Sequence, residues 1–333
     1  MINPWLQFLI CAAIIIFAGS RLARNAAVVA GNIGIGTARA GALLLPLATS
    51  LPELVTTLRA VMIDAPDLAI GNILGSCLYN LTLLAVIDLL EGRGALTARI
   101  NQGHIVTASL SIISICLVSI AMLRVVYLPI GWVGVETLFI ALVYIFGSRL
   151  LYRYERKNLS LPPVGDEVHD SKNPVSTGQA LLQFLIAAGL ILIAGVFLTD
   201  ASDQIAVLTG LGHTFVGSIF LAVSTSLPET VTTITAVRLG YIDMAVANVF
   251  GANFMNLFIV FLADLFYRRG PLLYAVSDSN LLSAVMVILL STVIILGLTY
   301  RSKRKVARIG YDVLLVLAGY LVTVVLLFKA GGN

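Results

Sequence analysis

The chain has 333 residues, of which 59% are hydrophobic and 11% charged, and it carries a net charge of +4. No soluble fold of this length can hide that much apolar surface, so the composition excludes a water-soluble domain and points to an integral membrane protein. The apolar runs are long and do not alternate, which favours helices over a β-barrel.

Apolar windows of about twenty residues predict ten spans, near 4–20, 38–62, 67–90, 104–122, 127–150, 179–199, 213–237, 244–266, 280–299 and 311–328. The first has no basic residues before it, and Arg21 and Arg24 follow it, so it reads as a retained span rather than a signal peptide. Cys11, Cys77 and Cys116 fall inside apolar segments and read as small packing residues, with no disulfide expected. The one clearly polar stretch, 152–178, is too short for a folded domain and reads as a cytoplasmic linker with a solvated His169.

One segment occurs twice. Residues 49–57 read TSLPELVTT and residues 225–233 read TSLPETVTT, an offset of 176. At that offset, residues 36–90 and 212–266 share 21 identities in 55 positions. Each copy holds five of the ten spans, so the second copy must enter the membrane in the opposite sense. The predicted fold is therefore an all-α membrane protein built from two inverted-topology five-helix repeats, residues 1–151 and 179–333, on either side of the linker. In this threading 16 Lys and Arg lie on one side and 5 on the other, which makes the linker side cytoplasmic and places both termini outside a cell membrane. The basic balance is thereby accounted for without a nucleic-acid partner.

The repeated segments carry the chemistry. On a helix, Thr49, Glu53 and Thr57 share a face with Ser50 beside them, and Thr225, Ser226, Glu229 and Thr233 repeat the set. Pro52 and Pro228 lack an N–H, which frees the carbonyls of Ala48 and Ser224 for another partner. These are hard oxygen donors, suited to Na⁺ or Ca²⁺. A carboxylate at a membrane helix centre costs about 2.5–3.5 kcal/mol on insertion scales, so its occurrence at two matched positions reads as function. The next span adds Asn72, Ser76 and Asn80 on one face beside Gly75, and its counterpart adds Asn248, Ala252 and Asn256 beside Gly251. Asn72 and Asn248 are read either as ligands or as interhelical glue. Asp88, Asp264 and His213 lie near span ends; the two aspartates are expected to cap or face headgroups, and the histidine not to be a ligand.

At these residues the chain resembles the cation/Ca²⁺ exchanger superfamily, and most closely its Na⁺/Ca²⁺ exchanger branch. Both alpha repeats are present, as ATSLPE and STSLPE followed by GNILGSCLYN and ANVFGANFMN. The resemblance implies a ten-helix bundle in which four central helices hold the ions, and exchange of Na⁺ for Ca²⁺ by alternating access. It implies Glu53 and Glu229 as ion-binding carboxylates. Thr49, Ser50, Thr225, Ser226, Ser76, Asn80 and Asn256 complete the cage, and Pro46 and Ala222 stand where carbonyl ligands are expected. No cofactor is implied beyond the transported ions. The chain departs from the pattern at Ala48 and Ser224 for glycine, Cys77 for asparagine, Ala252 for serine and Asn256 for aspartate. The proton-coupled Ca²⁺ branch, which typically carries a further glutamate, is the second reading. An intramembrane enzyme is disfavoured because no HExxH, Ser/His pairing or mid-span aspartate pair occurs. A channel fits inverted repeats and broken helices less well than a carrier.

Overall fold

The computed structural model describes residues 3–32, 45–91, 95–125, 128–158, 176–238, 240–301, 305–306 and 309–331. The first half contains α1 (Pro4–Asn32), α2 (Leu45–Thr49), α3 (Leu51–Met62), α4 (Pro66–Glu91), α5 (His104–Met122) and α6 (Val135–Asn158). The second contains α7 (Thr177–Thr209), α8 (His213–Thr225), α9 (Leu227–Arg238), α10 (Ile242–Phe266), the short α11 (Leu272–Ala275), α12 (Ser279–Tyr300) and α13 (Tyr311–Gly331). Two antiparallel hairpins, β1 (Pro129–Ile130) with β2 (Val133–Gly134) and β3 (Lys305–Val306) with β4 (Ile309–Gly310), introduce α6 and α13. The starts of α3 and α9, of α4 and α10, of α6 and α13, and of the two hairpins are all separated by 176 residues.

Among the described residues, seven helices are long and apolar enough to cross a membrane, and the bent pair α8–α9 makes an eighth. Of the two further predicted spans, 127–150 forms the β1–β2 hairpin and α6. The other, 38–62, is described only from residue 45, where it forms α2 and α3. Helix α1 runs to Asn32, well past its predicted end. Helix α6 runs to Asn158, into the stretch read as linker; residues 159–175, with His169, lie outside the described residues.

Burial separates centre from rim. In their most apolar stretches α4 and α10 are 78% and 67% buried within the protein, against 28% for α7 and 22% for α13. The first two form the core, and the last two turn their apolar faces outward, as a lipid environment allows. Glycines set the closest approaches. A Cβ on Gly75 of α4 would sit 2.2 Å from the Ser218 carbonyl oxygen, where α8 opens into a π-helical turn at Val216–Leu221. Rim and core also cross between halves: Gly19 of α1 meets Pro228 of α9, and Gly195 of α7, at the same offset, meets Val55 of α3.

Asp88 and Asp264 do not face headgroups; both are fully buried. Asp88 accepts from the Leu96 N–H at 3.0 Å and from the Gly310 N–H at 2.6 Å. Asp264 accepts from the Leu272 N–H at 2.6 Å, the Gly134 N–H at 2.8 Å and the Thr137 hydroxyl at 2.6 Å. Each carboxylate thus caps the segment after its own helix and clasps the hairpin of the other half. Asp67 and Asp243 repeat the habit at the opposite ends of α4 and α10, with Asp67 on the Ser277 N–H and Asn280, and Asp243 on the Asn101 N–H and His104. At the fully buried Asp88 and Asp264 both oxygens are used, because each orphaned buried donor costs about 1–3 kcal/mol. Asp264→Ala strands the Leu272 and Gly134 N–H groups, the Thr137 hydroxyl keeping the Gly134 carbonyl, and is expected to lower stability by about 2–6 kcal/mol, read as thermal unfolding in detergent. The exposed Asp278→Ala is expected to change it by less than about 1 kcal/mol.

Candidate ion-binding site

Helix breaks create the site. Ser50 and Ser226 leave helical geometry at φ −80°, ψ 8° and φ −89°, ψ 6°, and the α8–α9 pair bends there by 44°. Each break precedes its proline: Pro52 and Pro228 sit in the first turns of α3 and α9, where a missing N–H costs nothing. The prolines therefore start new helices rather than kink old ones. Glu53 and Glu229 stand in those same first turns, where unpaired N–H groups and the helix dipole favour negative charge.

Both carboxylates are buried, Glu53 at 0% and Glu229 at 1% exposure. Hydroxyls of the other half approach each carboxylate, and Glu53 also has Ser76 of its own half. Ser226 donates to Glu53 Oε1 at 2.8 Å, with Ser76 at 3.5 Å. The hydroxyls of Thr49 and Ser50 approach Glu229, but neither of its oxygens receives a formed hydrogen bond. Glu53 Oε2, both Glu229 oxygens, Ser50 Oγ, Asn80 Oδ1 and Asn256 Oδ1 are buried without a hydrogen-bond partner among the described residues. Native interiors leave few such atoms, and a group of them asks for a ligand. Carboxylate, hydroxyl and amide oxygens suit a hard cation. Among the described residues no group of three or more His, Cys, Asp or Glu side chains gathers, which a softer transition metal would prefer.

The residues singled out in the sequence differ in how free they are. Thr49 lies 3.4 Å from the Pro46 carbonyl, which also accepts the Ser50 N–H. The Ala222 carbonyl accepts the Ser226 N–H and lies 3.2 Å from the Thr225 hydroxyl. Both carbonyls placed in the cage are therefore already used as acceptors in this arrangement. Asn72 resolves as interhelical glue: its Nδ2 donates to Thr56 and Thr57, both at 3.0 Å, and its Oδ1 lies 3.3 Å from the Thr225 hydroxyl. Asn248 donates to Thr233 at 3.3 Å, with its Oδ1 unpartnered. Ala252 is fully buried and offers no oxygen. His213 stands apart, paired with Asp203 at 2.9 Å. The three cysteines are free thiols.

Sequence reasoning passed over Asn253. Its Nδ2 donates to the Cys77 carbonyl at 3.2 Å, and the Cys77 thiol lies 3.9 Å from the Asn253 carbonyl. The two residues are separated by 176 positions. The offset marks the two as equivalent positions of the repeats, but only the fold brings them into contact.

A duplicated helical membrane fold with paired buried carboxylates between half-helices defines a cation antiporter. The sodium/calcium exchanger protein family model matches residues 3–150 and 179–329, and the chain belongs to that family. It is 28% identical over 327 residues to the inner membrane protein YrbG of Escherichia coli, covering 95% of this chain and 94% of that one. It is 24% identical over 300 residues to the sodium/calcium exchanger MaX1 of Methanosarcina acetivorans, covering 81% and 86%. The fold matches the solved sodium-calcium exchanger NCX_Mj with a TM-score of 0.60 at 19% identity, covering 98% of this chain and 99% of that one.

Because Asn72 bonds α3, α4 and α8 together, Asn72→Leu should cost about 2–4 kcal/mol in thermal unfolding, the sum of its three lost bonds. A loss below about 1 kcal/mol would contradict its role as glue.

Proposed function

We propose that this protein exchanges Na⁺ for Ca²⁺ by alternating access, with Glu53 and Glu229 as the paired carboxylate ligands. The observation that carries the reading is that both are fully buried while three of their four oxygens lack a hydrogen-bond partner. Thr49, Ser50, Ser76, Asn80, Thr225, Ser226 and Asn256 complete the cage. The names of MaX1 and NCX_Mj support the choice of ions. Ten spans form two five-helix repeats of opposite sense, residues 1–151 and 179–333. The linker is cytoplasmic and both termini lie outside the cell membrane.

The mechanism follows from charge. An empty pocket with both carboxylates ionised carries −2, and moving it past the bilayer centre is penalised as any buried charge is. One Ca²⁺, or two Na⁺, neutralises it. Ser226 and Ser76 steady one Glu53 oxygen and leave the other for the ion. Glu229, with both oxygens free, is the more adaptable ligand. Coupling arises because only the loaded pocket changes its exposure readily, so Na⁺ and Ca²⁺ must leave and enter in turn.

The test is ⁴⁵Ca²⁺ uptake into proteoliposomes under an outward Na⁺ gradient, compared with an outward H⁺ gradient. Wild type should accumulate Ca²⁺ only with Na⁺, and Glu53→Gln or Glu229→Gln should each reduce uptake at least tenfold, a loss of about 1.4 kcal/mol or more in transition-state stabilisation. Uptake driven by H⁺ alone would transfer the protein to proton coupling. Retained exchange in both variants would sink the paired-carboxylate site.

A further inference from the structure

The two halves treat their equivalent amides, Asn80 and Asn256, differently. Asn80 of α4 donates through Nδ2 to Asn253 Oδ1 at 3.0 Å, which leaves Asn80 Oδ1 buried and unpartnered. Asn253 is itself fixed by its bond to the Cys77 carbonyl. An amide with its nitrogen so engaged has one orientation, with its oxygen turned away from the clamp. On α10 the equivalent of the Asn80–Asn253 bond would join Asn256 to residue 77. That residue is cysteine, whose thiol approaches Asn256, yet both polar atoms of the Asn256 amide are buried without a hydrogen bond. A thiol is a weak donor and acceptor and does not orient an amide as a second amide does.

We infer that Asn253 is a positioning residue that presents the Asn80 oxygen to the transported cation, and that Cys77 leaves Asn256 without an equivalent clamp. The inference rests on the proposed exchange and adds to it a residue that touches no ion. One half of the pocket then offers a preset amide oxygen, and the other an amide that must be turned on binding. A preset ligand carries its ordering cost before the ion arrives, which favours affinity.

The test is ⁴⁵Ca²⁺/Ca²⁺ self-exchange by full-length protein in proteoliposomes, which needs no Na⁺ coupling. Asn253→Cys should raise the Ca²⁺ KM roughly threefold to tenfold, with a smaller change in maximal rate, the size expected for one lost orienting hydrogen bond. In an Asn80→Ala background the same change should add little further, because Asn253 acts through Asn80. Cys77→Asn should lower the KM by supplying the second clamp. An Asn253→Cys effect of equal size with and without Asn80 would show a scaffold role and overturn the inference. So would a KM unchanged in Asn253→Cys. If Asn253→Cys does not fold, Cys77→Asn decides alone, and a KM unchanged or raised there overturns the inference. A wild type with no self-exchange would overturn the Ca²⁺ reading and this inference with it, whereas active wild type with either contrary variant overturns the inference alone.

Discussion

Two carboxylates buried at the middle of a membrane protein are the constraint from which the rest of this structure follows. Each ionised carboxylate in such a place costs several kcal/mol unless something offsets it. The chain offsets it partly with backbone. By breaking its helices at Ser50 and Ser226 it sets Glu53 and Glu229 in the first turns of new helices, where the helix dipole favours negative charge. It offsets it partly with hydroxyls, Ser226 and Ser76 on Glu53. What remains, both oxygens of Glu229 and one of Glu53, has no hydrogen-bond partner among the described residues, and in the proposed function a cation takes that place.

Holding those oxygens apart from one another requires a frame that does not collapse around them, and the frame is tied crosswise. Asp88 and Asp264 each clasp the opposite hairpin, Asp67 and Asp243 each reach the opposite half, and Gly19 and Gly195 each seat an outer helix against the opposite broken one. Few of these ties run within one half. Neither half therefore has a complete site or a complete core by itself, and the broken segments are positioned from across the interface. In a medium with no water to fill a gap, every such tie must satisfy its polar groups fully, as the two hairpin carboxylates do.

The duplication, the acid-bearing broken segments and the hard-oxygen ligand set were legible in the sequence, because they are properties of residue type and spacing. Gly75 was legible as a close approach for the same reason, since only a glycine leaves the backbone bare. Of Asp88 and Asp264 the capping role was legible, as one of two alternatives, but the clasp on the opposite hairpin was not. Their partners are backbone N–H groups, which every residue carries, and only the fold says which N–H lies opposite. Asn72 was ambiguous because an amide near an ion and an amide near three hydroxyls look alike along the chain. The break at Ser50, two residues ahead of Pro52, was missed because a proline signals where a helix cannot continue but not where the preceding one stops. Cys77 reads in the sequence as a small packing residue and a departure from a pattern; that it faces Asn253 depends on the crossing of α4 and α10.

Buried asparagines mark the division between frame and ligand. On one face of α4, Asn72 has both ends of its amide engaged and is thereby part of the scaffold. Two turns on, Asn80 has its nitrogen engaged and its oxygen free, and on α10 Asn256 has neither engaged. A polar group left unpaired in a protein interior lowers stability by about 1–3 kcal/mol, so sites of this kind are maintained against the drive to satisfy them. Residues whose hydrogen bonds are complete hold the shape whether or not an ion is present. Residues whose bonds are incomplete gain their partners only when one arrives, and that difference is a free energy the bound cation can supply toward closing the site around itself.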